Sequence, residues 1–167
     1  MFFKKKCPSC GAKNPIDAII CASCDAPFEL RQAEGQMTIY DEAIRLNPKD
    51  AVAYFNRGNA YHSLNKIQEA IEDYDKAIRL NSQFADAYHN RGTIYRSLGQ
   101  LERAIEDYNK AIRINPEDAV VYFNRASTNK LRGKKAEAVA DFEKFITLTD
   151  NPRWVEIARQ QIDELSK

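Results

Sequence analysis

The stretch Ala53–Asn81, AYFNRGNAYHSLNKIQEAIEDYDKAIRLN, returns as AYHNRGTIYRSLGQLERAIEDYNKAIRIN over Ala87–Asn115 and again, decayed, as VYFNRASTNKLRGKKAEAVADFEKFITLT over Val121–Thr149. Both steps are 34 residues, the length of one helix–turn–helix unit with its connectors. A unit of that size cannot bury its apolar face alone, so its stability comes from stacking on neighbours. Within the first copy, Tyr54, Gly58 and Tyr61 recur at helical steps, as do Ala70, Ile71, Tyr74, Ala77 and Ile78. Asn65, matched by Gly99 and Gly133, supplies a residue tolerant of positive φ where the first helix must end. Pro48 and Pro116 stop second helices. Gly58, Ala70 and Ala77 are small where two backbones approach.

One pairing follows from repetition alone. Arg57, Arg91 and Arg125 recur together with Asp73, Asp107 and Asp141. The helix before the array carries Ile39 at the acidic position, so a pair inside each repeat is more economical than one reaching backward. Arg–Asp ion pairs bridging the two helices of a repeat are therefore expected, as structural rather than catalytic groups.

Counted from Ala51, Ala85 and Ala119, the copies resemble the tetratricopeptide repeat. Its aromatic at position 4 is Tyr54, Tyr88 and Tyr122; its Gly/Ala at position 8 is Gly58, Gly92 and Ala126. Its Ala at position 20 is Ala70, Ala104 and Ala138, and its aromatic at position 24 is Tyr74, Tyr108 and Phe142. The third copy departs at Asn129 (position 11) and Phe145 (position 27), changes suited to the end of an array. The resemblance implies an all-α, right-handed helical-repeat solenoid. Its organisation would be a half repeat over 29–50, repeats over 51–84, 85–118 and 119–150, and a capping helix over 151–166. In that cap Trp154, Ile157, Ala158 and Gln161 read as a first helix arriving two residues early, docked at an altered angle, with Glu156, Arg159, Gln160 and Asp163 outward.

The same resemblance implies a non-enzymatic scaffold that grips peptide segments of partner proteins on its first helices. Carried over by position, the peptide-binding residues are Phe55, Asn56, Asn59 and His62; His89, Asn90, Thr93 and Arg96; and Phe123, Asn124, Ser127 and Lys130. Asn recurs at position 6 in every copy, and an amide offers both donor and acceptor to an extended backbone. The chaperone-tail carboxylate clamp of some family members is not expected. Asn59 and Asn90 match it, but Phe55 stands for its first Lys, and Val120 and Asn124 stand for its basic pair. A carboxylate buried without cations is costly.

Before the array, Cys7-Pro-Ser-Cys10 and Cys21-Ala-Ser-Cys24 use every cysteine in the chain. Two CxxC turns present four soft ligands to a tetrahedral ion. The run CPSCGAKNPIDAIICASCDAPF looks like a short zinc-ribbon module, giving residues 1–28 a small metal-supported fold. Zinc is the expected ion; iron in a rubredoxin-like site is the rival, since the ligands would be identical. A thioredoxin-like dithiol would need a βαβ context that is missing from the pattern. Disulfides would need an oxidising compartment, and MFFKKK offers no apolar run for a signal peptide. Asp25-Ala-Pro27 leads into the first helix without a Gly/Ser spacer, so Phe28 and Leu30 are expected to attach the ribbon semi-rigidly.

Lys plus Arg number 25 against 24 Asp plus Glu, and no run approaches the length of a membrane span. A cytoplasmic protein is expected, with no membrane partner. Lys4, Lys5, Lys6 and Lys13 would neutralise a doubly negative metal–thiolate cluster, which argues against a nucleic-acid patch. Phosphate-loop glycines, a nucleophile with a positioned His, and paired catalytic carboxylates are all missing from the sequence, so no enzyme is expected. The alternative keeps the ribbon as the working end, touching nucleic acid, ribosome or a transcription complex, with the array as a tether.

Overall fold

The computed structural model describes the backbone of residues 4–6, 13–15 and 28–167 and the side chains of residues 37–167. Strands β1 (Lys4–Lys6) and β2 (Lys13–Pro15) pair antiparallel with Lys6 opposite Lys13. Eight helices follow among the described residues: α1 (Phe28–Leu46), α2 (Ala51–Ser63), α3 (Ile67–Leu80), α4 (Ala85–Ser97), α5 (Leu101–Ile114), α6 (Ala119–Leu131), α7 (Lys135–Leu148) and α8 (Pro152–Leu165). The chain forms two compact units, Met1–Asp73 and Tyr74–Lys167. Cys7, Cys10, Cys21 and Cys24, and the side chains of Phe28 and Leu30, lie outside the described residues.

Local chemistry sets the helix ends. Asp50 caps α2 by accepting from the Val52 and Ala53 amides at 2.9 and 3.1 Å, and Asp118 caps α6 by accepting from Val120 N at 3.0 Å. Asn151 caps α8, with Pro152 in its first turn, where a missing N–H costs nothing. Asn65, Gly99 and Gly133 take φ of 57°, 73° and 72°, as the sequence requires. The next residue in each turn then reaches back to the helix: Lys66, Gln100 and Lys134 donate to the carbonyls of Tyr61, Tyr95 and Asn129 at 2.8, 2.9 and 2.9 Å. This closes otherwise orphaned carbonyls.

In the first unit α1 packs on α2, and Ala53, Ala60, Ala70 and Ile71 are buried. In the second unit α4 pairs with α5, α5 with α6, α6 with α7, and α7 with α8. Its largest fully buried side chains include Tyr74, Tyr108, Phe142 and Ile94. Gly92 lies against α5 so closely that a Cβ there would stand 3.0 Å from a Tyr108 ring carbon and 3.1 Å from Asp107 Cβ. Two effects of similar size then compete. Alanine gains about 1 kcal/mol in helix propensity and crowds Tyr108 by a few tenths of an ångström. Gly92→Ala is therefore expected to be nearly neutral, in keeping with Ala126 at the matching place. Gly92→Val adds methyl groups with nowhere to go and should lose about 1–3 kcal/mol in urea unfolding.

The recurring Arg–Asp pairs form in every repeat. Arg57 donates through Nε and Nη2 to both carboxylate oxygens of Asp73 at 2.7 Å. Arg91 does the same to Asp107 at 2.8 and 2.6 Å, and Arg125 to Asp141 at 2.8 and 2.6 Å. The third nitrogen also reaches backward, which the sequence reading did not foresee. Arg57 Nη1 meets Asp41 at 2.7 Å, Arg91 Nη1 meets Asp75, and Arg125 Nη1 meets Asn109 Oδ1 at 2.6 Å. The signal was present, because Asp41, Asp75 and Asn109 recur at the same spacing of 16 residues before each Arg. Each guanidinium thus fastens its own hairpin and the preceding helix together. Burial works against both charges, opposing the Arg91 cation and pushing the Asp107 carboxyl up. The bonds to Asp107 and Asp75 more than offset it for Arg91, whose pKa ends above its ordinary value. For Arg57, the bond to Asp73 raises the pKa against a smaller burial cost.

Candidate peptide-binding face

In the first unit α2 carries Phe55, Asn56 and Asn59 half-buried and His62 exposed. In the second unit α4 carries His89, Asn90, Thr93 and Arg96, and α6 carries Phe123, Asn124, Ser127 and Lys130; all eight are half-buried. The structure brings part of this second group into one site and spends the rest internally. Asn124 Nδ2 lies 2.7 Å from His89 Nε2, joining α4 to α6. An amide nitrogen only donates, so the imidazole accepts at Nε2 and holds its proton at Nδ1. Thr93 and Ser127 return their hydroxyls to their own helices, donating to the carbonyls of His89 and Phe123 at 3.1 and 2.9 Å. Lys130 is turned to the capping helix, donating to Gln161 and Glu164 at 2.7 Å each. Among described residues, the Arg96 guanidinium has no hydrogen-bonded or ion-paired partner, although its backbone carbonyl accepts from Gly99 N at 3.0 Å.

Beside Asn124 opens a cleft of about 470 Å³, lined by Arg96, Val120, Phe123, Asn124, Phe145 and Trp154 among others. Phe123 is its aromatic wall. Its ring meets those of Phe142, Phe145 and Trp154 edge-on at 5.4, 5.1 and 5.3 Å between centroids. Such edge-to-face contacts add stability beyond their buried area and fix ring orientation. Val120 and Trp154 remain 55% and 46% exposed, large apolar groups open to solvent at one place. Val120, Phe145 and Trp154 were not among the residues expected to bind a ligand. Their signal was the departure from repeat register: Phe145 where the pattern has Ala, and Trp154 two residues early.

His89 gives this face a pH dependence. Burial lowers its pKa from the usual histidine value, against the opposing fields of Asp118 and Asp86 and with help from Arg96. A depressed folded pKa means that the neutral ring's contribution is complete above the unfolded value, about 6.5. It is lost as pH falls through the folded value, because the charged ring must then be held in a buried place. Stability of the wild-type chain should thus fall more than that of His89→Gln between pH 7 and 5, measured by urea unfolding. Equal losses would show that His89 titrates as in water.

Comparison with known proteins places these features in a class. The model of the tetratricopeptide repeat matches residues 85–118, a second such model matches 39–72 and 107–140, and a TPR-repeat model matches 58–95. The matches run without a gap from 39 to 140, and the chain belongs to the tetratricopeptide-repeat family, with an all-α helical-repeat fold. No curated protein matches the chain. Among solved structures it is similar to MamA at 22% identity, covering 81% of this chain and 77% of that one, with TM-score 0.73. The Arabidopsis OM64 TPR domain is 24% identical over 68% of this chain and 94% of its own, with TM-score 0.64. The first TPR of Spaghetti (RPAP3), bound to the HSP90 peptide SRMEEVD, is 25% identical over 70% of this chain and 94% of its own, with TM-score 0.65. Among described residues, no helix is long and apolar enough to cross a membrane.

Proposed function

We propose that this chain is a non-enzymatic interaction scaffold that holds extended segments of partner proteins against its first helices. The observation that carries this reading is the cleft beside Asn124, where exposed apolar walls adjoin hydrogen-bonding groups. Exposed apolar surface rimmed by polar residues is the usual mark of a protein-binding site. The similar Spaghetti domain holds a peptide, which supports the same use here. The peptide it holds is a poor guide to the ligand of this chain. Phe55, Val120 and Asn124 occupy the places where a carboxylate clamp needs cations, so a chaperone-tail carboxylate would be left underpaired.

Affinity capture from native extract tests the reading with three full-length baits: the wild-type chain, Asn56→Ala/Asn90→Ala/Asn124→Ala, and a variant with all four cysteines changed to Ser. Partners lost with the Asn variant and retained with the cysteine variant are expected. Partners or nucleic acid lost only with the cysteine variant would make the ribbon the working end.

The second element of the proposal is a structural zinc ion on Cys7, Cys10, Cys21 and Cys24. Its support is the donor set: four thiolates from two CxxC turns suit a tetrahedral, redox-silent ion. Zinc bound there would cross-link the two turns and supply folding free energy to a segment too short for its own core. The purified chain should be colourless and carry about one zinc per chain by elemental analysis. A coloured protein with a reversible iron couple would reverse the assignment.

A further inference from the structure

The clefts lined by Arg125, Asn129 and Arg132, and by Tyr88, Lys110 and Arg113, are bordered by the Arg–Asp pairs that hold the repeats together. In the first of these the polar groups are largely spent on each other, Arg125 on Asp141 and Asn109 and Arg132 on Asn129; in the second, Arg91 is spent on Asp107. The cleft against the capping helix differs in two independent ways. Its walls are apolar and open, with Val120 and Trp154 both exposed and Phe123 and Phe145 behind them. Its one cation, Arg96, lacks a counter-ion among the described residues, and no Asp or Glu lines the cleft. The nearby Asp118 carboxylate accepts from Val120 N as the cap of α6 and does not line the cleft.

We propose that this cleft is a side-chain pocket for an acidic partner segment: it takes one aliphatic or aromatic side chain between Val120, Phe123 and Trp154, while Arg96 pairs with a neighbouring Asp or Glu side chain. The proposal rests on the scaffold reading and names the ligand of its second unit. Charge complementarity selects the acid. An unpaired guanidinium beside an apolar surface is a ready partner for a carboxylate and repels basic segments. The same count of cations selects a side-chain carboxylate over a chain terminus. A terminal carboxylate drawn into a groove needs several convergent donors to offset its desolvation. Here Lys130 is committed to Gln161 and Glu164 and one Asn124 N–H is committed to His89, which leaves Arg96 as the one cation lining the cleft. A single half-exposed cation suits an acid that stays partly in water.

Trp154 is the only tryptophan in the chain, so occupancy of the pocket has its own optical signal. The test uses the full-length protein and short, acetylated and amidated synthetic peptides. Their central residue is Leu, Phe, Met or Ser, flanked by Glu, Gln or Lys. The same peptides with a free terminal carboxylate form a separate arm. Binding is read by anisotropy of labelled peptide and by Trp154 emission. Peptides with an apolar centre and Glu flanks should bind and shift the emission. Exchange of Glu for Gln should weaken them about tenfold, the scale of one lost charge-assisted contact.

Arg96→Glu should reverse the preference, so that Lys-flanked peptides bind better than Glu-flanked ones. Val120→Glu alters an exposed residue, so the fold should survive, as circular dichroism would show, and binding should be lost. The proposal is overturned if Glu, Gln and Lys flanks bind alike, if a Ser centre serves as well as Leu, or if only free carboxylates bind. It is equally overturned if Arg96→Glu leaves the preference unchanged. Should the Asn-variant capture still lose partners, the scaffold reading survives and only this pocket falls. Loss of nothing in that capture would remove the scaffold reading itself.

Discussion

Replacing Arg91 with Met is expected to cost about 3 kcal/mol, the lower end of what breaking a buried ion pair removes. The loss comes from the partner left behind. Asp107 is 4% exposed and takes two of its hydrogen bonds from Arg91, so the variant buries an uncompensated carboxylate. Asp75 also loses a bond but is partly exposed and regains water. Removing both charges, as Arg91→Met with Asp107→Leu, should recover most of the loss, because an apolar pair of similar volume carries no desolvation penalty. Urea unfolding of the two variants separates these terms. If the double variant is as unstable as the single one, the pair is adding attraction beyond its own cost. If the single variant loses under about 1 kcal/mol, the value of an exposed pair, the pair is not effectively buried.

Phe142→Ala is expected to be more damaging, at about 3–5 kcal/mol, because the ring is fully buried and its removal leaves a cavity. Phe142 belongs to a cluster with Tyr122, Ala126, Ala138, Phe145, Ala158 and Leu165, and it also supports Phe123 edge-on. The cavity would therefore open behind the wall of the proposed pocket. Repeats are stabilised by nearest neighbours, so damage at one end need not melt the whole array at once. The variant should show two midpoints, with Trp154 emission changing at lower urea than far-ultraviolet circular dichroism. Coincident midpoints would mean that the second unit unfolds as a single block.

The period and the helix ends were legible in the sequence because each has one local cause. Asn65, Gly99 and Gly133 adopt positive φ where the pattern asks for it; the caps at Asp50 and Asp118 were not among the expectations drawn from the sequence. The inner half of the Arg–Asp network was legible too, since both partners recur in step. The backward half is carried by Asp41, Asp75 and Asn109, which repeat just as faithfully but not as one residue type. Ile39 at the acidic position makes a backward pair less economical, but the backward acceptor sits two residues further along, at Asp41.

The candidate site was legible only in part. Position alone put His89, Arg96, Phe123 and Asn124 on first helices, and it could not show that Asn124 is tied to His89 or Lys130 to α8. Those contacts depend on side-chain conformers and on the docking of the capping helix, which breaks the repeat register. The cleft owes its shape to the same break. Trp154 approaches Phe123 because the cap does not follow the spacing of the three repeats before it.

The central claim is that the first-helix face receives a partner segment. Hydrogen–deuterium exchange of the full chain, with and without a partner recovered by capture, tests it most directly. Protection is expected along α4 and α6 and at the start of α8, around Asn124 and Trp154. Protection confined to the second helices α5 and α7, or to residues 1–28, would contradict it.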